Sequence, residues 1–428
     1  MPVYFKNTSY DIMIGKDPIE KMGGDNIVTY LMYGDNPPLV LEDSEEIIKI
    51  KVTEYTTWYL TNKGNLYGCG NNDYGQLGDG TKQALFVFTK RASNVKDFNC
   101  ERMTTWYLTK NNELYGCGYN GYGNQGDGTT TNILTFTKRA TNVKKFCCND
   151  YTSWYLTNNN ELYGCGSNTQ GQQGTGETTD ITTFTKRAEN IRDFTCSSHT
   201  TWYIDNSNDL YGCGSGDKGP QGNGVGSNIL VFTKRAENVK EVKCNRNQTL
   251  YMDFDNNLYG CGYYVIPGWP SYYRFANIAT NIKNFDCGIS TVWYIDQDNN
   301  LYGHGMNDYG QQGDGTTTTV NTWVKRAENV QVVYCSPYTT WYIDNNNNEL
   351  YSCGRNDYSQ QGTSDTNNVT VFTKRADNVK SLSFDSAVSL YVDLDNNLYG
   401  CGYNRNGQLG IGTTDNVSTF TKIELPKE

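Results

Sequence analysis

The chain has 428 residues and a formal net charge of −10, an acidic balance that opposes nonspecific binding to DNA or to anionic membrane. No stretch reaches 18 consecutive apolar residues and the N-terminus lacks a signal-peptide core, so the expectation is a soluble protein of the cytoplasm or nucleus, with no membrane partner.

Residues 1–37 match no repeat and carry the breakers Gly23-Gly24 and Pro37-Pro38, which marks them as an N-terminal extension. Residues 38–428 repeat one sentence. A Leu-Tyr-Gly-Cys-Gly phrase or a close variant starts at Leu66, Leu114, Leu162, Leu210, Leu258, Leu301, Leu350 and Leu398, mostly 48 residues apart. A fixed period of this size signals a solenoid, propeller or array. In the first unit, Ile47–Val52 alternates as a strand does, and residues 56–61 (Thr-Thr-Trp-Tyr-Leu-Thr) are rich in β-branched and aromatic residues. Residues 62–65 have turn chemistry, and the Leu66 phrase forms a third strand. A polar, Gly-rich loop runs from Asn71 to Thr81, and a fourth strand covers residues 86–91. Four short strands and no helix per unit predict an all-β propeller with one blade per repeat.

The Trp58-Tyr59 pair sharpens this reading. It recurs at Trp106, Trp154, Trp202, Trp293 and Trp341, and becomes Leu250-Tyr251 and Leu390-Tyr391 in the other two units. Neighbouring strand residues face opposite ways, so both faces of the sheet need apolar cover, which blades stacked side by side supply. Exchange of Trp for Leu keeps bulk and predicts a blade-to-blade core, not a ligand-stacking ring.

The phrase Gly70-Asn71-Asn72-Asp73-Tyr74-Gly75-Gln76-Leu77-Gly78-Asp79-Gly80, nearly intact at Gly402 to Gly412, resembles the signature of the regulator of chromosome condensation repeat family. The resemblance spans about residues 38 to 428 and implies a propeller, usually of seven blades. The family's usual His before the second strand is here Thr56, Thr104, Thr152 and Thr200. Its usual aromatic residue before the strand-ending Gly is Cys, or His304 in one unit. The chain thus reads as a divergent member. Family members include exchange factors for the small GTPase Ran, ubiquitin-ligase modules and bacterial enzyme inhibitors. Exchange works through a wedge-like insertion, for which the near-constant spacing leaves no room.

Eight phrases favour eight blades over seven. The ring must join its ends to avoid open sheet edges. Phe420–Ile423 and Leu39–Glu42 both match the fourth strand, so closure is expected to involve one of these two copies.

Of 14 cysteines, seven lie in the Leu-Tyr-Gly-Cys column and six at the end of the first strand, with Cys147 left over. First and third strands of a blade are roughly 9–10 Å apart, beyond the reach of a disulfide. Free buried thiols in a reducing compartment are therefore expected, with bonds between blades as the alternative. No Cys-x-x-Cys pair occurs and histidines number two, so no metal site and no cofactor is predicted. The acidic hairpins at Asp296 and Asp393 lack the Gly and Glu of a calcium loop. The Gly-rich loops precede no helix, which phosphate cradles require. No nucleophile motif accompanies His199 or His304, and no enzymatic activity is expected.

Two features remain. Lys90-Arg91, Lys138-Arg139, Lys186-Arg187, Lys234-Arg235, Lys325-Arg326 and Lys374-Arg375 would form a basic ring on a propeller, either free for an acidic partner or paired with acids such as Glu189, Glu237 and Glu328. The fifth unit is five residues short and replaces its Gly-rich loop with residues 263–275. There Tyr263, Tyr264, Trp269, Tyr272, Tyr273 and Arg274 are the residue types of binding hot spots, stiffened by Pro267 and Pro270. The expected function is a protein-interaction propeller, a scaffold or binding module. The alternative is a self-associating structural protein of a viral or protist particle, suggested by the Asn-, Tyr-, Ile- and Lys-rich bias of an AT-rich genome.

Overall fold

The structure, a computed structural model, describes residues 44–266 and 269–426 (backbone alone over 264–266 and 269–272) together with four two-residue strands nearer the N-terminus. The chain divides into two compact units at Glu45 and Glu46. In Met1–Glu45, Met13–Ile14 pairs with Asp17–Pro18, and Tyr30–Leu31 pairs with Leu39–Val40. The boundary expected at residues 37 and 38 lies outside the described residues.

Glu46–Glu428 is an eight-bladed propeller. Each blade is a four-stranded antiparallel sheet of strands consecutive in sequence, and each Leu-Tyr-Gly phrase has its own blade. Blade one comprises Ile47–Val52, Thr56–Thr61, Leu66–Gly70 and Leu85–Ala92. Successive first strands approach within 8 Å and line the axis, while the fourth strands form the exposed outer wall.

The tryptophans are why blades stack. Trp58 is fully buried between its own sheet and Val95, Phe98 and Tyr107 of blade two. Trp106, Trp154, Trp202, Trp293 and Trp341 repeat this. Each such ring removes about 4–6 kcal/mol worth of apolar surface from water, before the entropy of ordering it. Opposite Trp58 in the ladder stands Gly68, where a Cβ would come within 2.6 Å of the indole. Gly116, Gly164, Gly212 and Gly303 make the same close approach to their Trp, while blade seven places Ser352 opposite Trp341.

Closure uses the C-terminal copy of the fourth strand. Val417–Ile423 completes blade eight, and Leu39–Val40 takes no part in its sheet. Blade one then packs on blade eight through Ile47, Ile50 and Val52 against Val388, Leu390 and Val392. Val52 N donates to Ser383 Oγ at 2.9 Å, and Glu54 N to Asp385 Oδ2 at 2.7 Å.

The alternating reading of the first strand misses one detail. Its pairing with the second strand skips a residue in every blade: Ile48, Lys96, Lys144, Arg192, Lys240, Lys283, Gln331 and Lys380. These are β-bulges, which turn a side chain out of the ladder.

The cysteine reading needs one correction. Cys147 and Cys196 are joined by a disulfide between the first strands of blades three and four, with Cα atoms 6.4 Å apart. The separation of strands within a blade does not bear on strands of adjacent blades, which converge on the axis. The other twelve cysteines are free. Burial pushes the thiols of the Leu-Tyr-Gly-Cys column well up, and Cys117 Sγ donates to Gln76 O of the preceding blade at 3.3 Å.

Candidate functional site

Antiparallel order gives the ring two faces. Turns between first and second strands and the Gly-rich loops share one end of the sheets, the loop face. The hairpins between second and third strands and the turns between blades share the other.

On the loop face a buried Asn holds most of the long loops in shape; blade four has Gly216 at that place. Asn72 is fully buried; its Nδ2 donates to Asp79 Oδ1 at 3.0 Å, and its Oδ1 accepts from Leu77 N at 2.8 Å. Asn120, Asn168, Asn307 and Asn356 do the same. A Gln then fixes the loop tip. Gln76, Gln311 and Gln360 accept from the backbone N–H of Tyr74, Tyr309 and Tyr358, each at 3.0 Å. The first residue after the third strand is tied to its own blade's first loop: Tyr119 N donates to Met103 O, and Tyr403 N to Ala387 O.

These anchors set tyrosines side by side across blades. Tyr74 meets Tyr119 at 5.4 Å between ring centroids, Tyr119 meets Tyr122 at 6.0 Å, and Tyr122 meets Tyr151 at 5.4 Å. Tyr151 meets His199 at 6.4 Å. Across the ring, Tyr309 meets Tyr338 at 5.1 Å and Tyr358 meets Tyr403 at 5.3 Å. The Arg355 guanidinium lies within 6 Å of the rings of Tyr309, Tyr338 and Tyr358. Arg102 lies over Tyr55, and Lys218 over Tyr263. The belt is half-buried, and Tyr151 and Tyr358 are the most exposed of its rings, at 36% and 37%. Rigid, partly desolvated Tyr and Arg offer large contact area at low entropy cost.

One end of the belt borders a polar cavity of about 140 Å³ lined by Gln170, His199, Ser215, Asp217, Arg246 and Asn247. Burial, reinforced by Arg246, lowers the His199 pKa, so its imidazole is neutral at physiological pH. Its Nδ1 is buried without a hydrogen-bond partner among the described residues. Such a cavity can accept one polar side chain. Among the described residues no cluster of His, Cys, Asp or Glu could hold a metal ion.

The fifth-unit segment lies on this face as a long hairpin, Leu258–Ile266 with Trp269–Ala279. Tyr263 N donates to Asn247 O, and Tyr263 pairs with Ser271. Tyr273 and Arg274 are exposed, and Arg274 bridges to Asn223 of blade four. The side chains of Tyr264, Trp269 and Tyr272 lie outside the described residues. Phe275 belongs to the core, packed 5.8 Å from Trp202 and 4.9 Å from Tyr251.

The Lys-Arg pairs lie elsewhere, on the outer wall, and most are paired. Lys138, Lys186, Lys234, Lys325 and Lys374 bind Glu113, Glu161, Asp209, Glu328 and Glu349 at 2.5–3.0 Å. Lys186 and Lys234 also bind Glu189 and Glu237. Lys90 is partnered as well. Arg91, Arg139 and Arg326 turn the other way onto Asp79, Asp127 and Asp314. Burial works against those carboxylates, but hydrogen bonds such as those from Thr81 and Asn72 to Asp79 outweigh it and hold their pKa values low. Arg375 donates to Ser352, while Arg187 and Arg235 are half-buried with no carboxylate partner among the described residues.

The tyrosine belt escaped the sequence reading because its members sit inside the repeated phrase and pass for architecture. The available signal was the Tyr recurring four residues after the strand-ending Gly, at Tyr74, Tyr122, Tyr309 and Tyr358.

Comparison with known proteins agrees with the fold. Models of the Regulator of chromosome condensation (RCC1) repeat match residues 47–76, 143–172, 63–90 and 395–428. No curated protein sequence matches the chain. Among solved structures, human WBSCR16 is similar at 15% identity and TM-score 0.57, over 85% of this chain and 95% of that one. Prp20p from Saccharomyces cerevisiae, described with its binding properties to Gsp1p and histones, has 16% identity and TM-score 0.59, over 86% and 87%. A structure of Kap60 bound to yeast RCC1 (Prp20) has 15% identity and TM-score 0.57, over 89% and 84%.

Proposed function

Starting from an eight-bladed propeller of which three stretches match the regulator of chromosome condensation repeat, we propose that its loop face is a protein-docking surface and that the chain works as a non-catalytic interaction module in the cytoplasm or nucleus. The observation that carries this reading is the belt of half-buried tyrosines braced by Arg102, Lys218 and Arg355. The blade-five hairpin, with Tyr263, Tyr273 and Arg274, extends the same face. Protein binding by the similar yeast structures, to Gsp1p, histones and Kap60, supports the class of function by analogy of fold. At 15–16% identity it does not transfer a partner.

The test is affinity capture from the native organism with wild type and with the double variant Tyr151→Ala/Tyr358→Ala. The expected result is loss of the specific partner at an unchanged thermal midpoint, because truncating an interface anchor typically costs about 2 kcal/mol or more of binding. Retention of every partner by the variant would move the site off this face. Recovery of only a second copy of the chain, in a loop-face-dependent manner, would instead favour the assembly reading.

A further inference from the structure

The hairpin face carries a feature that protein docking on the loop face does not use. The residue bulged out of the first strand is Lys or Arg in six of the eight blades: Lys96, Lys144, Arg192, Lys240, Lys283 and Lys380. These cations recur at one equivalent place on successive blades and so form a crown on the hairpin face of the ring. Lys380 is neutralised by Glu46 at 3.1 Å. The other five lie in consecutive blades, two to six, and none has a carboxylate within 4 Å among the described residues. The acids next along the strand are already engaged: Asp97 pairs with Lys49 and Asp193 with Lys145.

The crown is held in place without being neutralised. Nζ of Lys96, Lys144, Lys240 and Lys283 donates to the Oδ1 of Asn112, Asn160, Asn256 and Asn299, at 3.4, 3.3, 3.1 and 2.5 Å. Each of these asparagines sits at a hairpin position with φ between 59° and 64°, the left-handed region that glycine fills most cheaply. Blade one does use Gly64 there, and its bulge residue is Ile48. Blade seven keeps the asparagine, Asn348 at φ 51°, beside a neutral bulge residue, Gln331, so the turn sets the asparagine and the lysines of blades two, three, five and six make use of it. Arg192 is fixed differently, donating to Val239 O and Lys240 O and lying over Phe254.

We propose that this crown binds a compact ligand bearing several phosphate groups on the hairpin face. Lysine ammoniums act as point charges that suit phosphate, and their neutral Asn acceptors leave the charge available. The surroundings select for compactness. In blades five and six the exposed hairpin tips carry Asp255 and Asp298 beside the lysines, like charge that an extended nucleic acid or acidic chain meets along that arc. A small anion does not.

The experiment is calorimetric titration of the full-length chain with inositol hexakisphosphate at low and physiological salt. The expected result is one-to-one binding that weakens with salt. It should weaken at least tenfold in Lys96→Gln/Lys144→Gln/Lys240→Gln/Lys283→Gln, with the thermal midpoint retained. A control, Lys138→Gln/Lys186→Gln/Lys234→Gln/Lys325→Gln, makes the same change in net charge on the outer wall and should bind as wild type does. Crown-dependent capture by vesicles containing phosphatidylinositol 4,5-bisphosphate would place the phosphates on a lipid headgroup and also sustain the proposal. No binding at millimolar ligand, equal loss in both variants, or tighter binding of duplex DNA, RNA or an acidic peptide than of inositol hexakisphosphate would overturn it.

Discussion

Asp150 gives the sharpest test of the packing near the axis. It is 9% exposed in the turn after the first strand of blade three, and its Oδ1 accepts from Met103 N of blade two at 3.1 Å. Burial, with the charge of Glu101 nearby, raises its pKa from 3.8 to about 6. A carboxyl whose folded pKa exceeds its unfolded value opposes folding once ionised. The penalty is absent below about pH 4, grows as the pH rises to about 6, and is constant above. A rise of this size corresponds to roughly 3 kcal/mol at most. Asp150→Asn keeps the shape and the acceptor for Met103 N while removing the charge. Urea denaturation at pH 4 and pH 8 should show the variant more stable by about 2–3 kcal/mol at pH 8 and equal to wild type near pH 4. A variant no more stable at pH 8, or a gain independent of pH, would show that the buried charge at Asp150 carries no folding penalty.

Trp154→Ala should cost about 3–5 kcal/mol by opening a cavity between blades three and four, whereas Trp154→Leu should cost clearly less, because blades five and eight hold Leu250 and Leu390 at that place; denaturant midpoints of the two variants compare them directly. Cys69, Cys117, Cys165, Cys213, Cys261, Cys353 and Cys401 should resist alkylation in the native chain, being buried with thiol pKa values pushed up, and should label once urea unfolds it; mass spectrometry reads the difference. Lys186→Ala should leave the urea midpoint where it is in wild type, since its pairs with Glu161 and Glu189 are exposed.

Blade number and the inter-blade core were legible because periodicity encodes them. Eight phrases mean eight sheets, and Trp beside Tyr on a strand needs a neighbour on each face. The chain could not announce what arises between blades. The Cys147–Cys196 bond depends on how closely first strands of adjacent blades approach, a distance set by closure and not by spacing in the sequence. The bulge that turns Lys96 and its equivalents out of the ladder is invisible in a pattern such as residues 47–52, which alternates well enough to pass for a plain strand. The Lys-Arg pairs did suggest partners, and Glu189, Glu237 and Glu328 do bind Lys186, Lys234 and Lys325. The tyrosine belt was hidden by repetition itself, since a residue that recurs in four of the loops looks structural until neighbouring loops are seen to bring the rings together.

If partners meet the loop face, their contacts can be trapped there in the native cell, whatever the partner's identity. A photo-crosslinking amino acid is placed at Tyr119 or Tyr358 on that face, and at Asn158 or Asn345 on the hairpin face. Crosslinks to one protein from Tyr119 and Tyr358, absent from Asn158 and Asn345, are the expected result; crosslinks to that protein from the hairpin-face positions alone would contradict it.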